Sequence, residues 1–288
     1  MCEIDKFTKL WQSGLALVMG IGLVGLTGCE TNPYTGRSQL LMTSVGQEMQ
    51  MGAQAYSQVK NDPKIHQSQD PREIEPVRRV AARIVEAAKR SKYAEIAHQF
   101  QWEVTVIKDD KTANAFALPG GKMAVYTGIF PMAKTEAGLA AVMGHEVVHA
   151  LARHGAERMG QSQLTNVGLQ VVGAVAGGSG TLGQATMAAL GVGAQVGVLL
   201  PFSRNHESEA DYIGILLAAD AGYDPRESIA LWERMEQMSG GGGAPSEYIS
   251  THPSHETRIA QLKKWMPEAM AIYQTRPPVP AALLPPLR

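Results

Sequence analysis

The chain has 288 residues, 44% of them hydrophobic, with 26 basic and 27 acidic side chains and a formal charge of -1. That length and apolar share are those of an ordinary globular protein with one well-buried core, which excludes a low-complexity or extended chain. The near-neutral balance leaves no basic footprint for nucleic acid.

The N-terminus carries Lys6 and Lys9, an apolar run from Leu15 to Leu26, and then Leu26-Thr27-Gly28-Cys29. A charged start, about a dozen apolar residues and small residues before a cut outline a signal peptide, although Glu3 and Asp5 dilute the charge. The run falls short of the roughly 18 residues of a spanning helix, which argues against an uncleaved anchor. Leu-Thr-Gly-Cys resembles a bacterial lipobox, and the resemblance implies that Cys29 is the lipidated first residue of the mature protein. Cys2 would leave with residues 1–28, so the mature chain could form no internal disulfide. Acyl chains, at ~0.8 kcal/mol per buried CH₂, would hold Cys29 stably on a membrane. Glu30 in place of aspartate favours the outer membrane, facing the periplasm, by resemblance to enterobacterial sorting. Residues 29–43, with Asn32-Pro33-Tyr34-Thr35-Gly36, read as a turn-rich tether.

Ser44 with Gln47 predicts a capping box that opens a helix to about Lys60, ended by Asn61-Asp62-Pro63. A second helix is predicted from Glu75, with Pro76 at its first position, to about Ser91, carrying Val77, Val80, Ile84 and Ala88 on one stripe. Residues 101–107 and 122–127 alternate as strands do. Asn114, Ala115, Phe116, Ala117 and Leu118 lie between them, ahead of Pro119-Gly120-Gly121, so a small sheet with one open edge is predicted.

His145-Glu146-Val147-Val148-His149 follows inside an apolar helical run. At about 100° per residue, His145 and His149 share one helix face a turn apart, close enough for two imidazoles to bind one ion. Zinc takes neutral imidazoles and a carboxylate, keeps one position for water, and lowers the pKa of that water to ~7. Glu146, rotated off the histidine face, can accept its proton. His154 falls about 180° from His145 on a continuing helix and so reads as structural or surface. Glu157 falls about 12 Å along the axis from His149, too far to share the ion.

Between Met159 and Ser203 the chain is uncharged and rich in Gly, Ala and Val. If His149 and Glu207 meet at one ion, this segment must return to the side it left, which excludes a single span. A two-helix membrane hairpin would satisfy this, but Gln170, Gln184, Gln195 and Gly177-Gly178-Ser179-Gly180 interrupt the run, so two packed or membrane-proximal helices are the expectation ahead of it, and the glycines suit a lid. No acidic residue appears between Arg158 and Glu207, which makes Glu207 the first available carboxylate ligand. On a helix Asp211 shares its face at i,i+4 and is expected to hydrogen-bond a ligand histidine, whereas Glu209 points about 200° away. Asp224-Pro225-Arg226-Glu227 predicts a capped helix to about Met238, and Gly240–Gly243 a break. Tyr248 to Pro253 is expected to open the last helix from an exposed loop. His252 or Arg258 could donate to the tetrahedral oxyanion, or His252 could be an extra ligand that holds the resting site closed; a cap or surface role serves either equally well. Residues 273–288 read as a Pro-rich tail, with disorder expected over 276–288.

His145-Glu146-x-x-His149 with Ser203-Arg204-x-x-Glu207-x-Glu209-Ala210-Asp211 resembles the HtpX-like and CAAX-prenyl-protease-like zinc endopeptidases, family 48 of the metallopeptidases. Thr35-Gly36-Arg37, Asn114 to Gly121, His252-Pro253 and Arg258-Ile259 fit the same family. The resemblance implies one Zn²⁺ per chain, peptide-bond hydrolysis, and work on misfolded or membrane-associated proteins. In that family an edge strand binds extended substrate, and Asn114, Ala115, Phe116 and Ala117 are the candidate strand. The expected fold is α+β: a mostly helical zincin-like domain over residues 44–272 with a small sheet beside the catalytic helix. The expected function is zinc-dependent cleavage of misfolded or unassembled envelope proteins. The rival is a membrane-tethered holdase or assembly factor with a structural metal, against which Glu146 argues, since a structural zinc needs no adjacent base.

Overall fold

The computed structural model describes residues 29–163, 202–239, 247–252 and 257–287. The expected signal peptide, most of the predicted lid between Met159 and Ser203, and the break at Gly240–Gly243 lie outside the described residues.

Residues 29–43 are built into the domain rather than forming a free tether. β1 (Cys29–Thr31) pairs antiparallel with β2 (Ser38–Leu40), and Asn32 caps the turn between them by accepting from the Tyr34 N–H at 2.9 Å. Asn32, Gln39 and Leu41 are buried. Gln39 Nε2 donates to the Ala152 carbonyl at 2.7 Å, which ties the hairpin to the end of the central helix.

α1 (Val45–Asn61) opens on the predicted capping box, with both of its hydrogen bonds present. α2 (Pro71–Arg90) starts earlier than predicted: Asp70 accepts from the Arg72 N–H, Pro71 rather than Pro76 takes the first turn, and Pro76 sits inside the helix. The predicted stripe of Val77, Val80, Ile84 and Ala88 is buried. After the short α3 (Ala94–Gln99) come β3 (Glu103–Ile107), β4 (Ala115–Leu118) and β5 (Lys122–Tyr126), in the spatial order β3-β5-β4. β3 runs parallel to β5, whereas β4 returns into β5 as an antiparallel hairpin. Gly120 and Gly121 both adopt φ +84, the left-handed turn that glycine permits. Among the described residues β4 is therefore an edge strand, as expected.

A 3₁₀ turn and α4 (Phe130–Ala133) lead into α5 (Glu136–Leu151), capped by the Thr135 hydroxyl accepting from the Gly138 N–H. α5 is buried on nearly all sides, which explains why Leu139, Ala140, Val142, Met143, Val147 and Val148 leave no polar face. It stops at Leu151, and Arg153 takes φ +55 before helical backbone resumes at residue 154 as α6 (154–163 among the described residues). The left-handed backbone costs about 1–2 kcal/mol; Arg153 is held there by Glu48 at 2.6 and 3.0 Å and by the Thr43 carbonyl at 2.6 Å.

α7 (Arg204–Asp220) packs along α5, followed by α8 (Glu227–Ser239), α9 (Glu247–Thr251) and α10 (Arg258–Tyr273). Asp224 to Arg226 form a turn rather than the first turn of α8, and Tyr248 opens α9, a helix separate from the last one. The expected disordered tail is ordered over its described residues. Its N–H and carbonyl groups, free of internal bonds in an extended chain, pair with the body: Val279 N–H to Gly222, Leu284 N–H to Lys134, and the Ala282 carbonyl to the Glu136 N–H at 2.9 Å. The last of these satisfies a helix-start donor that has no partner within α5. No helix among the described residues is long and apolar enough to cross a membrane.

α5 and α7 meet at two glycines. A Cβ at Gly144 would lie 2.8 Å from the Gly214 carbonyl oxygen, and one at Gly214 would lie 3.0 Å from the His145 nitrogen. Gly144→Ala is therefore expected to push backbone against backbone and cost about 1–3 kcal/mol, read as a lower urea midpoint, with weaker zinc binding in the same protein. An unchanged midpoint would show that the helices can part freely.

Candidate metal centre

The α5–α7 contact brings His145, His149 and Glu207 together, and the end of α9 adds His252. His145, His149, Glu207 and His252, all buried, each offer a ligand atom within 4.8 Å of the others. His145 Nε2 is 3.0 Å from His149 Nε2, 3.5 Å from Glu207 Oε2 and 3.2 Å from His252 Nδ1. Glu207 Oε1 is 3.4 Å from His149 Nε2 and 3.1 Å from His252 Nδ1. Ligand atoms about 2.0–2.1 Å from a tetrahedral zinc stand ~3.3–3.4 Å apart, so the spacing and the imidazole and carboxylate donors fit Zn²⁺.

Each donor is oriented from behind. His145 Nδ1 lies 2.9 Å from Asp211 Oδ1, the contact expected of Asp211. Asp211 in turn accepts from Arg258 Nη2 at 2.6 Å. Arg258, 1% exposed, also lies 3.1 Å from Glu207 Oε2 and stacks 3.5 Å over the Trp232 ring. Its guanidinium is thus engaged by the carboxylates of Asp211 and Glu207, a geometry that suits positioning better than the expected donation to an oxyanion. His252 is buried at the end of α9 rather than on an exposed loop, between the rings of Tyr248 and Phe202 at 4.7 and 5.5 Å. Neither residue caps a helix at the surface.

Electrostatics follow from burial against pairing. Burial pushes His149 well below its ordinary value, keeping it a neutral ligand. Burial also lowers His145, but Glu207 and Asp211 outweigh it and lift the ring to about 9, so a cation there must displace a proton. Burial raises Glu207, yet His252 and His145 hold it well below the usual carboxylate range. Glu146 is pushed up by burial. Its Oε1 accepts no hydrogen bond among the described residues and lies 3.4 Å from His252 Nε2.

Glu146 and His149 share a cavity of about 40 Å³ with Asn114 to Leu118, Phe202, Thr251 and His252. That volume holds a water or two and no peptide. The Tyr126 N–H donates to the Asn114 carbonyl, so by alternation Ala115 and Ala117 turn their peptide groups to the free edge of β4. The Ala115 N–H is already taken by Asn114 Oδ1 at 2.8 Å.

Two residues read as remote are not. His154, 0% exposed, lies with its Nδ1 3.0 Å from His149 Nδ1, because the bend at Arg153 redirects it. Glu209 points away from Glu207 as expected, but into a network. Arg37 reaches Glu157 at 2.6 and 2.8 Å and Glu209 at 2.8 and 2.9 Å, while Gln39 and His206 each lie 3.1 Å from Glu157. Nothing in the spacing of these residues announces the network; Thr35-Gly36-Arg37 entered only through the family resemblance.

The model of peptidase family M48 matches residues 74–266. The mitochondrial metalloendopeptidase OMA1 of Schizosaccharomyces pombe is 37% identical over 92% of this chain and 74% of its own. OMA1 of Saccharomyces cerevisiae is 33% identical over 94% and 78%. The β-barrel assembly-enhancing protease of Escherichia coli K12 is 32% identical over 86% of this chain and 50% of its own length.

The Arg37 clamp gives acid stability a sign. Burial raises Glu157, but Arg37 and Gln39 outweigh it and bring the carboxyl down to about 2, and Glu209 is lowered as well. A depressed carboxylate stabilises the fold fully above its unfolded value, about 4.3, and loses that contribution as pH falls towards 2. Arg37→Met is expected to lower the urea midpoint most at neutral pH, with the gap to wild type closing below pH ~4. A gap constant from pH 7 to 3 would mean that Arg37 acts through packing alone.

Proposed function

The chain belongs to peptidase family M48 and is a zinc metalloendopeptidase, and we propose that it cleaves misfolded or unassembled cell-envelope proteins at the centre formed by His145, His149 and Glu207. The observation that carries this reading is Glu146: a buried carboxylate whose Oε1 accepts no hydrogen bond among the described residues, on the wall shared by the donor set and β4.

Zn²⁺ held by His145, His149 and Glu207 supplies a Lewis acid that lowers the pKa of water and polarises the scissile carbonyl. Extended substrate adds to the edge of β4 through the Ala115 carbonyl and the Ala117 peptide groups, which presents its backbone to Glu146. Glu146, made more basic by burial, takes the proton of the attacking water at Oε1 and returns it to the leaving amine. Asp211 fixes the His145 ring and Arg258 fixes Asp211. His252 completes the donor set and closes the small cavity, so it acts as a latch that withdraws before substrate enters.

The envelope setting rests on Leu26-Thr27-Gly28-Cys29, which would acylate Cys29, and on the likeness to a protease named for β-barrel assembly. Residues 1–28 would be removed, and the hairpin from Cys29 would hold the domain close to an outer-membrane surface.

Casein cleavage and bound zinc, measured together on the purified chain, test the mechanism. Glu146→Gln is expected to keep about one zinc and lose at least ~10²-fold in rate, while His252→Ala is expected to cleave faster than wild type. If wild type and His252→Ala both hold zinc and neither cuts, the chain is a binding protein with a structural metal.

A further inference from the structure

Among the described residues His149 has no carboxylate against its outer nitrogen, unlike His145. Its Nδ1 faces His154 Nδ1 at 3.0 Å, and His154 Nε2 faces Glu209 Oε2 at 3.0 Å. Glu209 is held as an anion by Arg37 Nε at 2.9 Å, Arg37 Nη2 at 2.8 Å and the Thr35 hydroxyl at 2.5 Å. A neutral imidazole carries one N–H, so His154, donating from Nε2 to Glu209, offers only a lone pair at Nδ1. The hydrogen bond between the two rings then requires the proton to sit on His149 Nδ1. That leaves the lone pair of His149 on Nε2, the atom facing His145 and Glu207.

We propose that Arg37, Glu209 and His154 form a positioning relay that sets the tautomer of His149 and thereby its affinity for the metal. The inference rests on His149 being a zinc ligand, as argued above. His206 keeps the relay in place by stacking on His154 at 4.5 Å and 16° while its Nε2 lies 3.1 Å from Glu157, which Arg37 also holds. One arginine from the hairpin thus orients a ligand on the central helix through two intermediates. The arrangement is unlike the direct Asp211 contact of His145, because an imidazole acceptor is neutral where a carboxylate is charged.

Zinc affinity by chelator competition and the ¹⁵N signals of labelled histidines, both on the full chain, test the relay without reference to cleavage. His154→Phe keeps a ring but removes the acceptor. It is expected to weaken zinc binding about 10- to 100-fold and to let His149 populate both tautomers. His154→Gln, whose amide oxygen can accept from His149, is expected to recover most of the affinity. Should His154→Phe not fold, Glu209→Gln carries the same expectation in smaller measure. If His154→Phe leaves affinity within twofold and His149 in a single Nδ1–H tautomer, the relay is overturned. If His149→Ala itself leaves zinc binding unchanged, the ligand assignment fails first, and the relay with it.

Discussion

α5 and α7 touch backbone to backbone where Gly144 faces Gly214, and the distances of the centre depend on that contact. Helices that meet through larger side chains stand 8–10 Å apart between axes. With the backbones in contact here, the Glu207 carboxylate lies 3.5 and 3.4 Å from the imidazoles of His145 and His149 while Asp211, one turn on, reaches the back of His145 at 2.9 Å. The two glycines therefore do for the site what a ligand motif alone cannot: they bring the helix that supplies the carboxylate within bonding range of the helix that supplies the histidines.

That proximity carries an electrostatic cost, since Glu146, Glu207, Asp211 and Arg258 are all buried in or beside an apolar core. Buried ion pairs add little net stability, whereas removal of one partner strands the other at a cost of several kcal/mol. The site is accordingly supported by Leu139, Val142, Met143, Val147 and Val148 on α5 and Ile213 and Leu217 on α7, and the charged groups add orientation. Arg258 illustrates the balance: its charge is matched by Asp211 and Glu207, and its flat face by Trp232.

The sequence was most legible where function repeats at helical spacing. His145 and His149 a turn apart, and Glu207 and Asp211 likewise, assemble as their periodicity implies. Strand alternation and Pro119-Gly120-Gly121 were enough to place β4 beside them. What escaped depends on breaks that leave no composition signal. Arg153 adopts a left-handed backbone normally kept for glycine, so extrapolating the helix sent His154 to the wrong side. Arg37 lies 172 residues from Glu209 in the chain, and no local pattern couples an arginine in a turn to a distant carboxylate. The tail misled for a related reason: its prolines disfavour helix and strand, yet an extended segment needs neither if a neighbouring helix start has donors to offer.

The hairpin and the tail hold opposite ends of the same helix. Gln39 bonds the carbonyl of Ala152 just past the end of α5, and the Ala282 carbonyl bonds the N–H of Glu136 at its beginning. During synthesis the first of these partners is available before α5 exists, but the second emerges from the ribosome more than a hundred residues after it. The helix that carries both histidines and the base thus gains its last backbone contact only once nearly all of the described fold has been made. Thr135 and Arg79 already hold the start of that helix from within its own neighbourhood, so the tail adds the closing strap and not the anchor, and the backbone cap of the catalytic helix is complete only when the last part of the domain is in place.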